Sequence, residues 1–339
     1  PPPVLHRGGC CVSGADGPRR PLCPAADDNR EQGDDMMDPN AQRNGIPEGK
    51  IPPDILQKIL AIPVIACGNL IVPPAAGEDG AVLRLAGGLL AVASDPITFR
   101  TPRPGHFAVC VNANDIAAMG ARPRYFTVTL MVPPGVTEDD VVGIMRDVIE
   151  TSNALGIVLI GGHTEVTSAV RWPLLSVTMF GELVCRHPLR TGGAHVGDVV
   201  VQINPLAIEG TAILASERTD TLSAVLGATA IEEARCLLDQ PGILIVEPAL
   251  ILAAECEVHA LHDPTEGGVA TGVREMAEGA SLGVRLDESA LIMRSITADI
   301  CACADLDPLG LISSGCLLAA LDPVAALHSI QALAERGFE

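Results

Sequence analysis

The chain is poor in positive charge. Its 339 residues include 22 lysines and arginines against 42 aspartates and glutamates, a formal net charge of −20, and Lys50 and Lys58 are its only lysines. Proteins bind nucleic acids and anionic membranes through clustered Lys and Arg side chains, so this balance disfavours both partners. An anionic substrate would need local help, which a carboxylate-held metal ion supplies when a nucleotide is carried with Mg²⁺.

Long apolar runs are also missing, although 48% of the residues are hydrophobic. No stretch of about 18 residues lacks both charge and proline, so we expect no membrane span. The richest apolar stretch, GILIVEPALILAAECEV at 242–258, is interrupted by Glu247 and Pro248. It predicts a buried strand or loop followed by a core helix.

Paired cysteine motifs are absent among the eleven cysteines. Cys301 and Cys303 form only a CxC, and Cys10 and Cys11 lie in a segment rich in Pro and Gly, so neither pair gives the CxxC pattern of a structural zinc site. No secretory signal with a basic start and an apolar core opens the sequence. We therefore expect reduced thiols and a cytoplasmic protein.

The common nucleotide-binding signatures are missing as well. The sequence contains neither GxxxxGK[ST] nor GxGxxG, which argues against a P-loop or dinucleotide fold, and it lacks the twelve-residue calcium loop. Any phosphate-binding site in this chain must therefore use a different motif.

Three regions follow from length and composition. Residues 1–45 are dense in Pro, Gly, Asp and Arg without apolar periodicity, which predicts a disordered tail. The remainder is long enough for two domains, which we expect at 46–185 and 186–339.

Hydrophobic periodicity and turn signals predict an α+β fold of mixed strands and helices in these two domains. Helices are expected near 51–61, 107–120, 137–156, 210–217, 231–238, 248–255, 271–278 and 324–338. The helix near 137–156 has the clearest start signal, because Thr137 precedes an acidic first turn. Strands are expected near 81–95 as a hairpin through Gly87 and Gly88, and near 124–132, 172–184, 199–203, 258–261 and 283–287. A further strand near 157–166 is expected to run into a glycine turn, and 311–321 resembles a glycine-split strand pair.

Four short polar motifs lie at predicted element edges in the first half: GEDG at 77–80, ASDP at 93–96, NANDIA at 112–117 and GGHTEV at 161–166. Each alone is explained by an ordinary turn or helix cap. A Mg²⁺–nucleotide site requires a few carboxylates that converge from separate elements, and Asp79, Asp95 and Asp115 fit that requirement.

HDPTEGG at 262–268 is the most informative stretch of the second half. Asp263, Pro264 and Thr265 form a predicted turn whose glycines expose backbone N–H groups just before a helix. Such a helix start binds anions readily, although a plain cap by Asp or Thr explains the same residues.

In this order and spacing, GEDGAVL, VASDP, NANDIAAMGARP, IVLIGGHTEV and LHDPTEGGVATGVREMAEGASLGV resemble the aminoimidazole-ribonucleotide (AIR) synthase-like, or PurM-like, superfamily. This superfamily includes thiamine-monophosphate kinase, selenophosphate synthetase and hydrogenase maturation proteins of the HypE type. The resemblance is nearest to the HypE-like and AIR synthase-related proteins. It implies a homodimer whose N-terminal domains share a β-barrel, a C-terminal α/β domain, and ATP with Mg²⁺ in the cleft.

The resemblance also implies roles for single residues. Asp79, Asp95 and Asp115 correspond to metal ligands, and Glu165 is a substitute for the acidic residue that relatives carry where this chain has His163. The resemblance places the following residues at the nucleotide or substrate: Asn112, Asn114, Gly161, Gly162, His163, Thr164, Asp263, Thr265, Gly267 and Gly268.

The implied chemistry is ATP-dependent activation of an oxygen by phosphoryl transfer, on a small substrate or a protein-bound group, with a catalytic base left unassigned. HypE carries its own substrate on a C-terminal Pro-Arg-x-Cys tail, whereas this sequence ends in AERGFE. Two alternatives stay open: a small-molecule kinase of the thiamine-monophosphate type, and a non-catalytic nucleotide-binding maturation partner.

Overall fold

The structure is a computed structural model that describes residues 4–6, 52–63 and 67–338. It consists of two α/β halves, each with one sheet. The first half contains helices α1 (Pro53–Leu60), α2 (Pro104–Ala118) and α3 (Glu138–Ala154). Its strands are β2 (Leu70–Val72), β3 (Ala81–Leu85), β4 (Gly88–Ile97), β5 (Ala121–Val132), β6 (Val158–Val166) and β7 (Leu174–Leu183).

These six strands form one sheet in the order β2-β3-β4-β7-β5-β6, antiparallel except for the parallel pair β5 and β6. Helix α2 packs on β4, β5 and β7, with α3 beside it. It is buried almost all round, and its buried residues include the polar side chains of Asn112, Asn114 and Asp115. The first half therefore has its core between the sheet and α2.

The second half contains a five-stranded antiparallel sheet in the order β10-β1-β8-β11-β9. Its strands are β1 (Val4–His6), β8 (Val199–Ile203), β9 (Val258–His262), β10 (Gly283–Arg285) and β11 (Leu317–Leu321). The helices are α4 (Ile208–Glu217), α5 (Thr219–Leu226), α6 (Ala228–Cys236), α7 (Val246–Glu255), α8 (Gly268–Gly279), α9 (Ser295–Ala304) and α10 (Pro323–Ala334).

The α+β prediction of two mixed halves is confirmed, and so are most single elements. The side chain of Thr137 accepts a hydrogen bond from the backbone of Asp140, and the Asp140 side chain accepts one from the Thr137 backbone, which completes a capping box on α3. The hairpin of β3 and β4 is also as expected. No closed barrel is formed by the described part of the chain.

Four local predictions differ from the structure. Helices α5 and α9 and strand β2 have no counterpart among the predicted elements, because elements this short carry too little apolar periodicity to distinguish them from loops. Residues 311–315 form a loop, so only β11 remains of the predicted strand pair. The glycines of 157–166 continue strand β6 without a turn. Within the tail, Val4–His6 pair with β10 and β8, and the rest of 1–45 lies outside the described residues.

One stretch, Ala228–Glu255, is long and apolar enough to cross a membrane by length and composition alone. It is not one straight helix, because α6 and α7 are separated by a segment in which Gln240 has non-helical backbone angles. Ile231 and Leu252 are buried in hydrophobic clusters of the second half. The expectation of a core helix at this position is therefore confirmed.

Candidate functional site

The loop before β3 meets the end of β9 through a buried ion pair. Asp79 Oδ1 lies 2.7 Å from Nδ1 of His262, and Thr191 donates a hydrogen bond from Oγ1 to Asp79 Oδ2 at 3.3 Å. On its other side, His262 Nε2 lies 3.0 Å from Glu275 Oε2 on α8. Asp79 belongs to the first half and His262 to the second, so this contact joins the halves at the site.

His262 is held as a cation between two carboxylates. Burial by itself lowers the pKa of His262, but the charge of Asp79 and hydrogen bonds to Asp79 and Glu275 outweigh this effect and raise the pKa to about 10. Both ring nitrogens then donate hydrogen bonds, so neither is free to ligate a metal. The role of His262 is to fix the orientation of Asp79.

Asp263 is the least satisfied group of the site. Its side chain is buried, and neither carboxylate oxygen has a hydrogen-bond partner in another described residue. Burial raises the pKa of Asp263 well above its usual range, and the charges of Asp79 and Asp95 raise it further, while His262 opposes this. A buried carboxylate that lies beside two others and receives no hydrogen bond from another described residue has the chemistry of a cation ligand.

The ligating atoms of Asp79, His262 and Asp263 lie within 4.8 Å of one another. Because His262 is engaged at both nitrogens, the groups left for a metal are oxygens of Asp79 and Asp263. A carboxylate with one hydrogen bond still has lone pairs available. An oxygen-only set of this kind suits Mg²⁺, which retains several waters and takes one or two carboxylates.

Asp95 on β4 is positioned by helix α2. The Asp95 backbone N–H donates to Asn112 Oδ1 at 2.9 Å, and Asn112 Nδ2 donates to the carbonyls of Asp95 and Ala108. Asp115 follows Asn112 by three residues, so both lie on the same face of the helix. Asp79, Asp95 and Asp115 do not form a single cluster with all ligand atoms within 4.8 Å among the described residues.

The polar residues of NANDIA lie in the last turns of α2, which begins at Pro104 without a side-chain cap. The capping explanation for these residues is therefore wrong. Asn114 is fully buried, donates to the Ile243 carbonyl at 2.8 Å and accepts from the Ile245 backbone N–H at 2.9 Å. Both ends of its amide are thus used to join the two halves, and the predicted nucleotide contact of Asn114 is not supported.

The GGHTE residues, Gly161 to Glu165, lie on the exposed edge strand β6. His163 Nε2 is 3.6 Å from Glu165 Oε2, and both side chains are more than half exposed. Within one chain, the structure does not bring Glu165 into a metal-capable cluster with Asp79. A Cβ at Gly162 would lie 1.9 Å from the Val128 carbonyl oxygen, so glycine is required there by packing against β5.

The DPTEGG turn leads directly into α8, which begins at Gly268 rather than at Thr271. Gly267 and Gly268 have φ angles of +81° and +60°, and the helix start carries no side-chain cap. Thr265 accepts hydrogen bonds at its carbonyl from the N–H groups of Gly268 and Ser313. The Gly268 N–H is thus engaged, and the first-turn N–H groups of Val269 and Ala270, which bond to no backbone carbonyl among the described residues, remain available to an anion next to Asp263.

Glu209 is a buried acid that the sequence reasoning missed. It lies in the first turn of α4, is 1% exposed, and accepts a hydrogen bond from the Ser314 backbone N–H at 3.2 Å. Burial raises the pKa of Glu209 to about 7, with a smaller contribution from the charge of Glu266. Glu266 belongs to DPTEGG, so Glu209 faces the same loop. The sequence feature that points to Glu209 is the presence of a Glu in a mostly apolar helix, because Glu is rarely buried without a role.

Two family models match the chain. The AIR synthase related protein N-terminal domain matches residues 77–183, and the corresponding C-terminal domain matches residues 195–339. A putative hydrogenase expression/formation protein of Methanocaldococcus jannaschii is 27% identical over 241 residues, 71% of this chain and 68% of the relative. Carbamoyl dehydratase HypE of Rhizobium leguminosarum bv. viciae is 26% identical over 272 residues, 75% of this chain and 73% of the relative.

Solved structures show the same architecture. Hydrogenase maturation protein HypE in complex with ATP matches with a TM-score of 0.63 at 25% identity. The match covers 75% of this chain and 74% of the HypE chain. A HypE-HypF complex gives 0.63 at 21% identity, with 82% and 87% covered. Thiamine monophosphate kinase from Aquifex aeolicus gives 0.62 at 17% identity, with 80% and 87% covered, and shows the fold alone.

Proposed function

Because the chain belongs to the AIR synthase related family, we propose that it is an ATP- and Mg²⁺-dependent enzyme of the HypE type. The chain is an enzyme, since the HypE relatives that match about three quarters of it are named carbamoyl dehydratase. The reaction we propose is phosphoryl transfer from ATP to an oxygen of a small substrate or a protein-bound group, which turns that oxygen into a leaving group.

The observation that carries this proposal is the unpartnered carboxylate of Asp263 beside Asp79. A purely structural cluster would have provided a donor to such a buried charge. A divalent cation satisfies it, and a relative in the same fold was solved with ATP. The donor set therefore fits the group that the family implies.

Each residue has a defined part in this proposal. Asp79 and Asp263 hold Mg²⁺, Asp95 and Asp115 complete the acidic surroundings, and Asn112 positions Asp95. When bound, the metal supplies charge neutralisation for the phosphates. The first-turn N–H groups of Val269 and Ala270, after Thr265 and Gly267, bind phosphate oxygens, and His262 keeps the Asp79 carboxylate in place.

Isotope transfer tests the reaction. The full chain is incubated with Mg²⁺, ATP and carbamoyl or carboxylate compounds labelled with ¹⁸O at the carbonyl oxygen. Phosphoryl transfer followed by departure of that oxygen puts the label into inorganic phosphate, which mass spectrometry detects. Asp263→Asn is expected to lose Mg²⁺–ATP binding, whereas Asp299→Asn, at an exposed position in the second half, keeps full activity.

The outcomes separate the three functions. ¹⁸O-labelled phosphate supports the HypE type. ADP formation with a stable phosphorylated product, and no free phosphate, indicates a kinase of the thiamine-monophosphate type. Saturable binding of Mg²⁺–ATP without turnover, even with partner proteins present, indicates a non-catalytic maturation partner. Release of unlabelled phosphate alone contradicts the proposed transfer.

We also propose that the chain forms a homodimer through the edge of its six-stranded sheet. Strand β6 exposes Val158, Ile160 and Val166 by 52%, 57% and 62%, and exposed edge strands with apolar side chains are unfavourable in a monomer. Light scattering tests this: Ile160→Lys is expected to convert a dimer into a monomer. A maturation partner protein is a further expectation, because a relative was solved in a HypE-HypF complex.

A further inference from the structure

A second cluster of metal-capable side chains lies outside the Asp263 site. His195, Asp198 and His259 each place one ligand atom within 4.8 Å of the others. His195 and Asp198 belong to the loop that precedes β8, and His259 belongs to β9. Asp198 is 3% exposed, His259 is partly buried and His195 is exposed, so the cluster opens to solvent on one side.

His195 and His259 orient the carboxylate of Asp198. Its Oδ2 accepts a hydrogen bond from the His195 backbone N–H at 2.7 Å, and its two oxygens lie 3.0 and 2.9 Å from His259 Nδ1. The two imidazole rings lie 4.1 Å apart at 49°. Among the described residues, the His195 ring and Nε2 of His259 have no hydrogen-bond partner.

This cluster is separate from the Asp263 site. His259 and His262 are three residues apart on β9, and their side chains have different partners: His259 contacts Asp198, whereas His262 contacts Asp79 and Glu275. The donor sets also differ: two imidazole nitrogens and one carboxylate here, against carboxylates alone at Asp263. Mixed nitrogen and oxygen ligands favour the later first-row divalent metals, whereas Mg²⁺ prefers oxygen.

The loop that carries His195 is pressed against β9. A Cβ at Gly193 would lie 2.2 Å from the His259 carbonyl oxygen, so glycine is required for this approach. The same loop carries Thr191, which donates to Asp79, and Arg190, which forms an ion pair with Glu78 at 2.8 Å. A metal that joins this loop to β9 would therefore hold the residues that contact the GEDG loop.

We propose that His195, Asp198 and His259 form a binding site for one divalent cation of the cobalt-to-zinc group, which clamps the 190–198 loop onto β9. Three protein ligands leave at least one coordination position for water. Asp198 serves as the buried anionic ligand, and the two histidines ligate as neutral imidazoles. Loss of one ligand is expected to weaken the metal by more than the roughly 10–100-fold that loss of an outer-shell partner costs.

Zinc binding to the full chain tests this site. The protein is stripped with a chelator, reduced, and titrated with Zn²⁺ in the presence of excess Mg²⁺, which occupies the oxygen-ligand site. Wild type is expected to bind one more equivalent of Zn²⁺ than His195→Ala or His259→Ala. His328→Ala, which removes an exposed histidine on α10, serves as the matched control and is expected to bind as wild type does.

Cobalt distinguishes this site from the eleven cysteines. Co²⁺ bound through nitrogen and oxygen gives visible d–d absorption without the near-ultraviolet charge-transfer band of thiolate ligands. His195 is exposed, so its alanine variant is expected to fold, which circular dichroism checks. Equal Zn²⁺ stoichiometry and affinity for wild type and His195→Ala would overturn the proposal, as would a wild-type Co²⁺ spectrum of thiolate type only.

Discussion

Replacing Asp263 by asparagine is expected to stabilise the protein without ligands and to remove its response to Mg²⁺–ATP. The carboxylate is buried, its oxygens have no partner in another described residue, and it faces Asp79 at a separation of up to 4.8 Å. Asparagine has nearly the same shape, carries no charge, and can donate a hydrogen bond to Asp79. The substitution therefore removes an unfavourable group from the folded state.

The size of this effect follows from the geometry. When both carboxyls are ionised, which for Asp263 requires a pH above its raised pKa, the two unit charges at that separation repel by about 3 kcal/mol at an effective dielectric constant of 20. His262 offsets part of the repulsion, so we expect a gain of about 1 kcal/mol or more. Such a gain corresponds to a rise in Tm of roughly 2–4 °C for a domain of this size.

Differential scanning calorimetry with and without Mg²⁺–ATP measures both effects. At a ligand concentration of about 100 times Kd, wild type is expected to gain about 2.7 kcal/mol and Asp263→Asn close to nothing. Asp299→Asn, with the same charge change at an exposed position, is expected to match wild type in both conditions. The reasoning is refuted if Asp263→Asn melts below wild type without ligand and keeps the full Mg²⁺–ATP shift.

Three further substitutions test individual structural roles. Gly162→Ala is expected to destabilise the protein by about 1–3 kcal/mol through the clash with β5, whereas Gly161→Ala, with open space around it, leaves denaturant midpoints unchanged. Asn114→Ala is expected to cost about 2–5 kcal/mol in urea unfolding, because buried backbone groups lose their partners, while the Kd for Mg²⁺–ATP stays as in wild type. Burial raises the pKa of Glu209 from 4.5 to about 7. The contribution of Glu209 to folding stability is therefore fully present below pH 4.5 and is lost as the pH rises through 7, by roughly 3 kcal/mol. Glu209→Gln should remove this part of the pH dependence of the free energy of unfolding, and an unchanged pH profile would contradict the assignment.

Elements with strong local signals could be predicted from the sequence. The capping box of Thr137 and Asp140 and the β3–β4 hairpin depend on neighbouring residues, so their patterns are readable. The glycines of β6 predict a turn that the structure lacks. Gly162 is required instead by a close contact with Val128 of β5, which is distant in sequence. Local glycine statistics favour a turn at such a position.

The candidate site shows the same division. The motifs around Asp79, Asp95 and Asp263 could be found in the sequence, and the structure places these three carboxylates in one electrostatic environment. The sequence does not show which role each of these side chains has in the folded site. His262 neutralises Asp79 across the two halves, and Asn114 uses its amide to bind the Ile243–Ile245 backbone. Such partners are distant in the chain, and only the fold brings them together.

The central claim is that Asp79 and Asp263 hold a divalent cation that carries ATP. Anomalous diffraction from crystals grown with Mn²⁺ in place of Mg²⁺ and a non-hydrolysable ATP analogue tests it most directly. The account predicts a manganese peak about 2.0–2.2 Å from carboxylate oxygens of both residues, with nucleotide phosphates as further ligands. A nucleotide bound without any metal at Asp263, or manganese found only at other side chains, would contradict it.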